Sequence, residues 1–251
     1  MKQVLALIAA FIPALAMAAG PSVDLDKHLT DLSDNASLQR GAQTYMNYCM
    51  GCHSLEHARY NRVARDLDIP EPLMMENLVF ADKKFGDLMT NAMAPADAKK
   101  WFGAAPPDLT LVARVRRPDW LYTYLRSFYE DPTRPYGVNN SVFKDVGMPH
   151  VLAGLQGVQA KGTAQVRVGY DSLTGQEITE PRDDVLYIKQ AGKLNAQEYD
   201  KVVFDLVNFL TYVAEPIALE RQAIGWWALL FLAIFFVPVY LLNKEYWKDV
   251  K

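Results

Sequence analysis

Hydrophobic positions recur at helical spacing in three parts of this chain. Leu38, Ala42, Tyr45 and Cys49 form a short stripe, with Asp34 or Ser37 placed to cap its start. Leu121, Tyr124, Leu125 and Phe128 form a second, opening at Pro118, a favoured first helical residue. The third is the strongest. Tyr199, Val202, Val203, Leu206, Phe209, Leu210 and Val213 line one face behind an Asn195 cap with Glu198 three residues on, and Pro216 stops it. Between the last two, Val166, Val168 and Tyr170 alternate before a turn near Ser172-Leu173-Thr174-Gly175, which predicts a hairpin insertion between Leu155 and Gly192.

The two ends are apolar throughout rather than in stripes. Lys2 precedes an apolar run from Val4 to Leu15 and a small-x-small site at Ala16-Met17-Ala18, the pattern of a secretory signal peptide over residues 1–18. The run is too short to cross a bilayer, which takes about 20 apolar residues. From Ile224 to Leu242 the chain holds no charged residue, so residues 223–243 are expected to form one transmembrane helix. Membrane helices tolerate a proline such as Pro238. Trp226 and Trp227 at one end, and Tyr246 and Trp247 past the other, suit the two interfaces. Lys244, Lys248 and Lys251 follow the span, which puts the tail, 244–251, in the cytoplasm and the domain at 19–222 in the periplasm. Residues Ile217 to Gln222 read as a short joint that holds the domain close to the bilayer.

Composition changes this picture little. The formal net charge is -3, and no basic run points to nucleic acid. The two cysteines matter more. Cys49-Met50-Gly51-Cys52-His53 is C-x-x-C-H, the attachment pattern of c-type haem. Two thiols at this spacing can form thioethers to the two vinyl groups of one porphyrin, and the adjacent imidazole can then bind iron axially. The competing readings are a redox dithiol, which does not need the histidine, and half of a zinc site, for which a third cysteine is missing.

A second axial ligand must come from downstream. Met46, Met74, Met75, Met89, Met93 and Met148 are the methionine candidates, with His57 and His150 as histidine alternatives. Met148 leads because Pro149 biases it towards extended backbone and Gly147 lets the chain approach a flat ligand; Met93, before Ala94-Pro95, is next. His57 lies four residues past His53 and can hardly reach the opposite haem face. Gly103-Ala104-Ala105-Pro106-Pro107-Asp108 must be irregular, since consecutive prolines end regular structure. Arg114, Arg116 and Arg117 follow; arginine suits haem propionates, and a solvated basic face is the plain alternative.

Taken together, several blocks resemble one family. They are Tyr48-Cys49-x-x-Cys52-His53, Ala105-Pro106-Pro107-Asp108-Leu109-Thr110 with Arg114 and Arg116, Gly147-Met148-Pro149, Asp205 to Leu210 leading to Ala214-Glu215-Pro216, and the tail from Leu241 to Val250. The chain resembles cytochrome c1, the haem c subunit of the cytochrome bc1 complex (ubiquinol–cytochrome c reductase). The resemblance implies a mainly α, class I c-type cytochrome domain with loop and hairpin insertions and one C-terminal transmembrane helix. It implies one haem c on Cys49 and Cys52, with His53 and Met148 on the iron, Pro107 near the ring and a propionate contact from Arg116 or Arg114. Phe102 stands where many members carry a polar residue. The short leader implies a bacterial inner-membrane protein. Partners implied are cytochrome b, the Rieske iron–sulfur protein as donor and a soluble or membrane-bound cytochrome c as acceptor, in a dimeric bc1 complex. The chemistry implied is a one-electron relay with no catalytic residues. The rival readings are a stand-alone membrane-anchored monohaem carrier, an oxidase cytochrome subunit, and a haem sensor with a labile sixth position. Asp66, Asp68, Glu71 and Glu76 are candidates for steering a basic partner.

Overall fold

The computed structural model describes residues 24–80, 82–170 and 174–249. The signal-peptide reading and Ser172-Leu173 of the hairpin turn fall outside them.

Two helices build the core. Helix α1 (Asn35–Tyr48) starts where the Asp34 carboxylate accepts the Ser37 N–H, and it buries Leu38, Ala42, Tyr45 and Met46. Ser37, the other capping candidate, lies inside the helix. Helix α8 (Ala196–Ala214) starts with the expected capping box, in which Asn195 accepts the Glu198 N–H and Glu198 accepts the Asn195 N–H. Its apolar face packs on α1, with Tyr45 against Phe209.

The crossing is close because Gly41 has no side chain. A Cβ there would lie 2.1 Å from the Asp205 carbonyl oxygen and 2.7 Å from Phe209 Cβ. Ser37 Oγ donates to Asp205 Oδ1 at 2.6 Å, Arg40 Nε donates to Asp205 Oδ2 at 2.6 Å, and Asn208 Nδ2 donates to Ser37 Oγ at 2.9 Å. A carboxylate this buried is tolerable only when so fully partnered.

Strand β1 (Leu55–Arg59) runs straight into α2 (Tyr60–Asp66), α3 (Glu71–Asn77) follows, and β2 (Leu88–Met89) pairs back on β1 with irregular register. Then come α4 (Pro95–Phe102), α5 (Val112–Arg116) and α6 (Pro118–Arg126). Arg117, with φ +72°, breaks α5 from α6, and Pro118 opens α6 as predicted. Strands β3 (Phe128–Glu130) and β4 (Val138–Asn140) form a small antiparallel pair, α7 (Ala153–Gln156) is a single turn, and β5 (Gly157–Tyr170) and β6 (Glu177–Ala191) form the predicted hairpin.

Among the described residues three two-stranded sheets therefore accompany the helices, so the expectation of a mainly α fold holds only roughly. The shortfall is physical. β2, β3 and β4 span two or three residues, too few for a period-2 signal, and the five residues of β1 do not alternate in burial, so the sequence signalled only the β5–β6 hairpin.

Helix α9 (Ala218–Tyr246) is long and apolar enough to cross a membrane and has Pro238 inside. At about 1.5 Å per residue it exceeds the roughly 30 Å hydrocarbon core. It starts earlier than the sequence suggested. Residues 218–222, read as a joint, are helical, and only Glu215, Pro216 and Ile217 separate it from α8. The domain is thus coupled to its anchor by a very short link.

Candidate haem site

Helix α1 delivers the first cysteine. Cys49 caps it, its N–H donating to the Tyr45 carbonyl at 2.9 Å. The chain then turns on itself. The N–H groups of Cys52 and His53 both donate to the Cys49 carbonyl, at 3.0 and 2.8 Å. Cys49 is buried, Cys52 is exposed, and the two are unbridged. Burial pushes the Cys49 thiol up to about 12.

His53 is held from two sides. The buried Tyr45 hydroxyl donates to its carbonyl at 2.6 Å, and its Nδ1 lies 2.7 Å from the Pro107 carbonyl oxygen. A carbonyl can only accept, so Nδ1 carries the proton and Nε2 keeps its lone pair for a metal. Burial holds the imidazole below its ordinary pKa, against the opposing pull of the Pro107 carbonyl, and so keeps it neutral.

The Pro-Pro-Asp-Leu block is a clip on the segment after the motif. The Leu109 N–H donates to the Ser54 carbonyl at 2.9 Å, and Asp108 Oδ2 accepts the Glu56 N–H at 2.7 Å. Asp108 Oδ1 accepts the Thr110 N–H at 2.9 Å, and Thr110 Oγ1 accepts the His57 N–H at 3.4 Å. Sequence reasoning assigned Pro107 but missed Asp108. An acidic residue between prolines and a leucine has no periodic signature, and only the fold shows which amides it receives.

Among the remaining ligand candidates, Met46, Met74 and Met89 are core side chains. His57 is exposed. His150 stacks on Phe128 at 4.8 Å and hydrogen-bonds Gln156 at 2.8 Å, so its ring is already committed. Met148 is half-buried, and the Tyr124 hydroxyl donates to its sulfur at 3.4 Å. Tyr124 in turn stacks on Trp120 at 4.8 Å, and Arg116 lies over Trp120 at 5.1 Å and over Phe143 at 5.7 Å. Arg116, Trp120, Tyr124 and Met148 thus form one continuous series of contacts. Arg114 departs from it, pairing with Glu215 at 3.9 Å on the anchor side. Two positions apart on α5, the two arginines point different ways.

Two thiols on one turn, a neutral imidazole with a free Nε2 and a thioether held by an aromatic cluster are the donor set of a c-type haem, and the residues fit that group. Of the four proposed steering acids, one is withdrawn. Asp66 is taken by Arg62, Arg65 and the Tyr212 hydroxyl, whereas Asp68 accepts a neutral amide, from Asn35 at 2.7 Å.

The sequence model of the Cytochrome C1 family matches residues 26–250. The chain belongs to the cytochrome c1 family. It is 52% identical over 251 residues to "Cytochrome c1" of Allochromatium vinosum, covering 99% of each chain. It is 41% identical over 238 residues to a protein of Nitrosomonas europaea named "Ammonia monooxygenase gamma subunit", covering 95% of this chain and 94% of that one. It is 26% identical to "Cytochrome b/c1" of Bradyrhizobium diazoefficiens over 86% of this chain and 34% of that longer protein. As a cytochrome c1 family member it carries covalent haem c and is the haem-carrying electron-transfer subunit of a bc1 complex, anchored in the membrane and associated with cytochrome b.

Proposed function

We propose that this chain takes single electrons from the Rieske iron–sulfur protein and passes them to a soluble or membrane-bound cytochrome c, within a dimeric bc1 complex. Bound haem iron supplies the one-electron couple. Cys49 and Cys52 hold the ring by thioethers, His53 and Met148 bind the iron, Pro107 packs near the ring and Arg116 compensates propionate charge. The link from Arg116 through Trp120 and Tyr124 to Met148 favours Arg116 over Arg114 for that role. The observation that carries the reading is the His53 Nδ1 contact to Pro107, which leaves Nε2 free as a ligand beside the two thiols. Residues 1–18 act as a signal peptide, residues 19–222 sit in the periplasm, α9 covers the span predicted at 223–243, and the tail at 244–251 is cytoplasmic. The lysines after the span support that orientation.

The test is single-turnover reduction of the c-type haem by a quinol, in native membranes with and without the iron–sulfur subunit. Reduction that vanishes with that subunit is expected; reduction that persists overturns the assigned donor. The same experiment separates the readings in which the chain is a stand-alone carrier, or serves an assembly like the one named for the Nitrosomonas relative. In either case quinol would not reach this haem through an iron–sulfur partner.

A further inference from the structure

We propose that Arg134, Asn139 and Asp145 form a clamp that holds the Met148 segment in place and so sets how firmly the methionine stays on the iron. The inference rests on the reading of Met148 as the sixth ligand. None of the three residues needs to touch haem; they are positioning residues.

From Ser141 to Leu152 the chain has no regular element, yet the first part is fixed by side chains on both flanks. Asn140 Oδ1 accepts the N–H groups of Val142 and Phe143, at 2.9 and 3.1 Å, and Asn140 Nδ2 donates to the Tyr124 carbonyl at 2.8 Å. Asn139 Oδ1 accepts the Asp145 N–H at 2.9 Å, and its Nδ2 donates to Asp131 Oδ2 at 2.9 Å. Arg134 donates from Nη2 to the Asp145 carbonyl at 2.9 Å, and its Nη1 pairs with the Asp145 carboxylate at 3.2 Å. Both polar groups of the Asp145 backbone are therefore held by side chains from the β3–β4 loop and β4. Three residues later comes Met148, with the buried Val146 between.

Two further observations mark this loop. Asp145 has φ +60°, a left-handed conformation that costs a non-glycine residue free energy. Arg134 Nε and Ser141 Oγ are buried with no partner among the described residues. Backbone strain of this kind persists only where the surroundings over-determine the local geometry.

The consequence is preorganisation. A segment fixed before ligation loses little freedom when its thioether binds, so its effective concentration at the iron is high. A neutral thioether favours ferrous iron, so the ferric bond is the weaker one and opens first when the segment loosens. Once the ferric form is open, each further tenfold loss lowers the midpoint potential by about 59 mV.

The experiment uses the full-length, haem-loaded chain in mild detergent, with Arg134→Ala, Asp145→Ala, Asp145→Asn and Arg134→Lys beside a Met148→Leu control. Arg134 and Asp145 lie outside the hydrophobic core, with side chains 27% and 59% exposed, and far-ultraviolet circular dichroism of each variant is compared with the parent. Read out are the far-red thioether-to-ferric-iron absorption, the fraction of ferrous haem that binds carbon monoxide, and the midpoint potential. The alanine variants are expected to raise the open fraction about tenfold and lower the potential, with Arg134→Lys and Asp145→Asn in between. If both alanine variants match the parent in all three while Met148→Leu loses the absorption, the ligand stands and the clamp is overturned. If Met148→Leu keeps the absorption, the ligand reading fails and takes the clamp with it.

Discussion

Replacing Gly41 with alanine tests whether the α1–α8 crossing carries the site. The new methyl would start 2.1 Å from the Asp205 carbonyl oxygen and 2.7 Å from Phe209 Cβ. Neither atom is the loose end of a flexible side chain, so the helices must part by roughly 1 Å to restore ordinary contact. Overpacking of this kind costs about 1–3 kcal/mol. Parting the helices also stretches the 2.6 Å Ser37–Asp205 hydrogen bond, whose loss to a charged acceptor adds about 1.5–3 kcal/mol if complete. Against this, alanine favours the helix over glycine by about 1 kcal/mol. The net expectation is about 2–3 kcal/mol of destabilisation, or roughly 4–12 °C in Tm for a chain of this size. The assay is thermal unfolding of the haem-loaded, full-length chain in detergent, followed by helical circular dichroism and by the haem absorption together. Both signals should fall early, because α1 carries Cys49 at its end. A Tm equal to or above the parent's would refute the reasoning, since the helix-propensity gain would then be the only effect left.

Three further outcomes follow from the geometry. Tyr124→Phe removes the hydroxyl donated to Met148; because that donation weakens the thioether most in the ferric form, its loss should lower the midpoint potential by about 20–40 mV, equivalent to about 0.5–1 kcal/mol, in a redox titration. Burial pushes His150 down to about 4 from its ordinary 6.5, so the unfolded chain takes up the proton first as pH falls. The stability this group supports is complete above 6.5 and is lost between 6.5 and about 4, on the order of 3 kcal/mol, and His150→Gln should flatten that part of the Tm-versus-pH curve. Glu215 joins Arg114 of α5 to Arg221 of α9, so Glu215→Gln should speed amide exchange in the link between domain and anchor while leaving the haem spectrum unchanged.

The strongly periodic segments were legible in the sequence. Helix α8 and its capping box and the hairpin lie where spacing and punctuation put them. Helix α6 opens at Pro118 as expected but ends at Arg126, so Phe128 of the predicted stripe falls in β3, and the anchor helix begins at Ala218, before the predicted span. The attachment turn was legible because C-x-x-C-H encodes its chemistry locally. What escaped was set by distant contacts. Nothing around Gly41 announces that α8 will press on it, and nothing around Asp108 says that it will receive the amide of Glu56. The split between Arg116 and Arg114 follows from helical phase and from partners at Trp120 and Glu215, which spacing alone does not reveal. Residues 218–222 looked like a joint because Glu220, Arg221 and Gln222 interrupt the apolar run, yet they are continuous with the helix that follows.

The most direct test is to purify the tagged full-length chain from its native membrane in mild detergent and record its reduced-minus-oxidised spectrum with a quinol as the only reductant. A c-type band that is reduced by quinol, with b-type bands co-purifying, is the predicted result. A c-type band alone that quinol leaves oxidised, in a preparation whose dithionite-reduced spectrum also lacks b-type haem, would contradict the account.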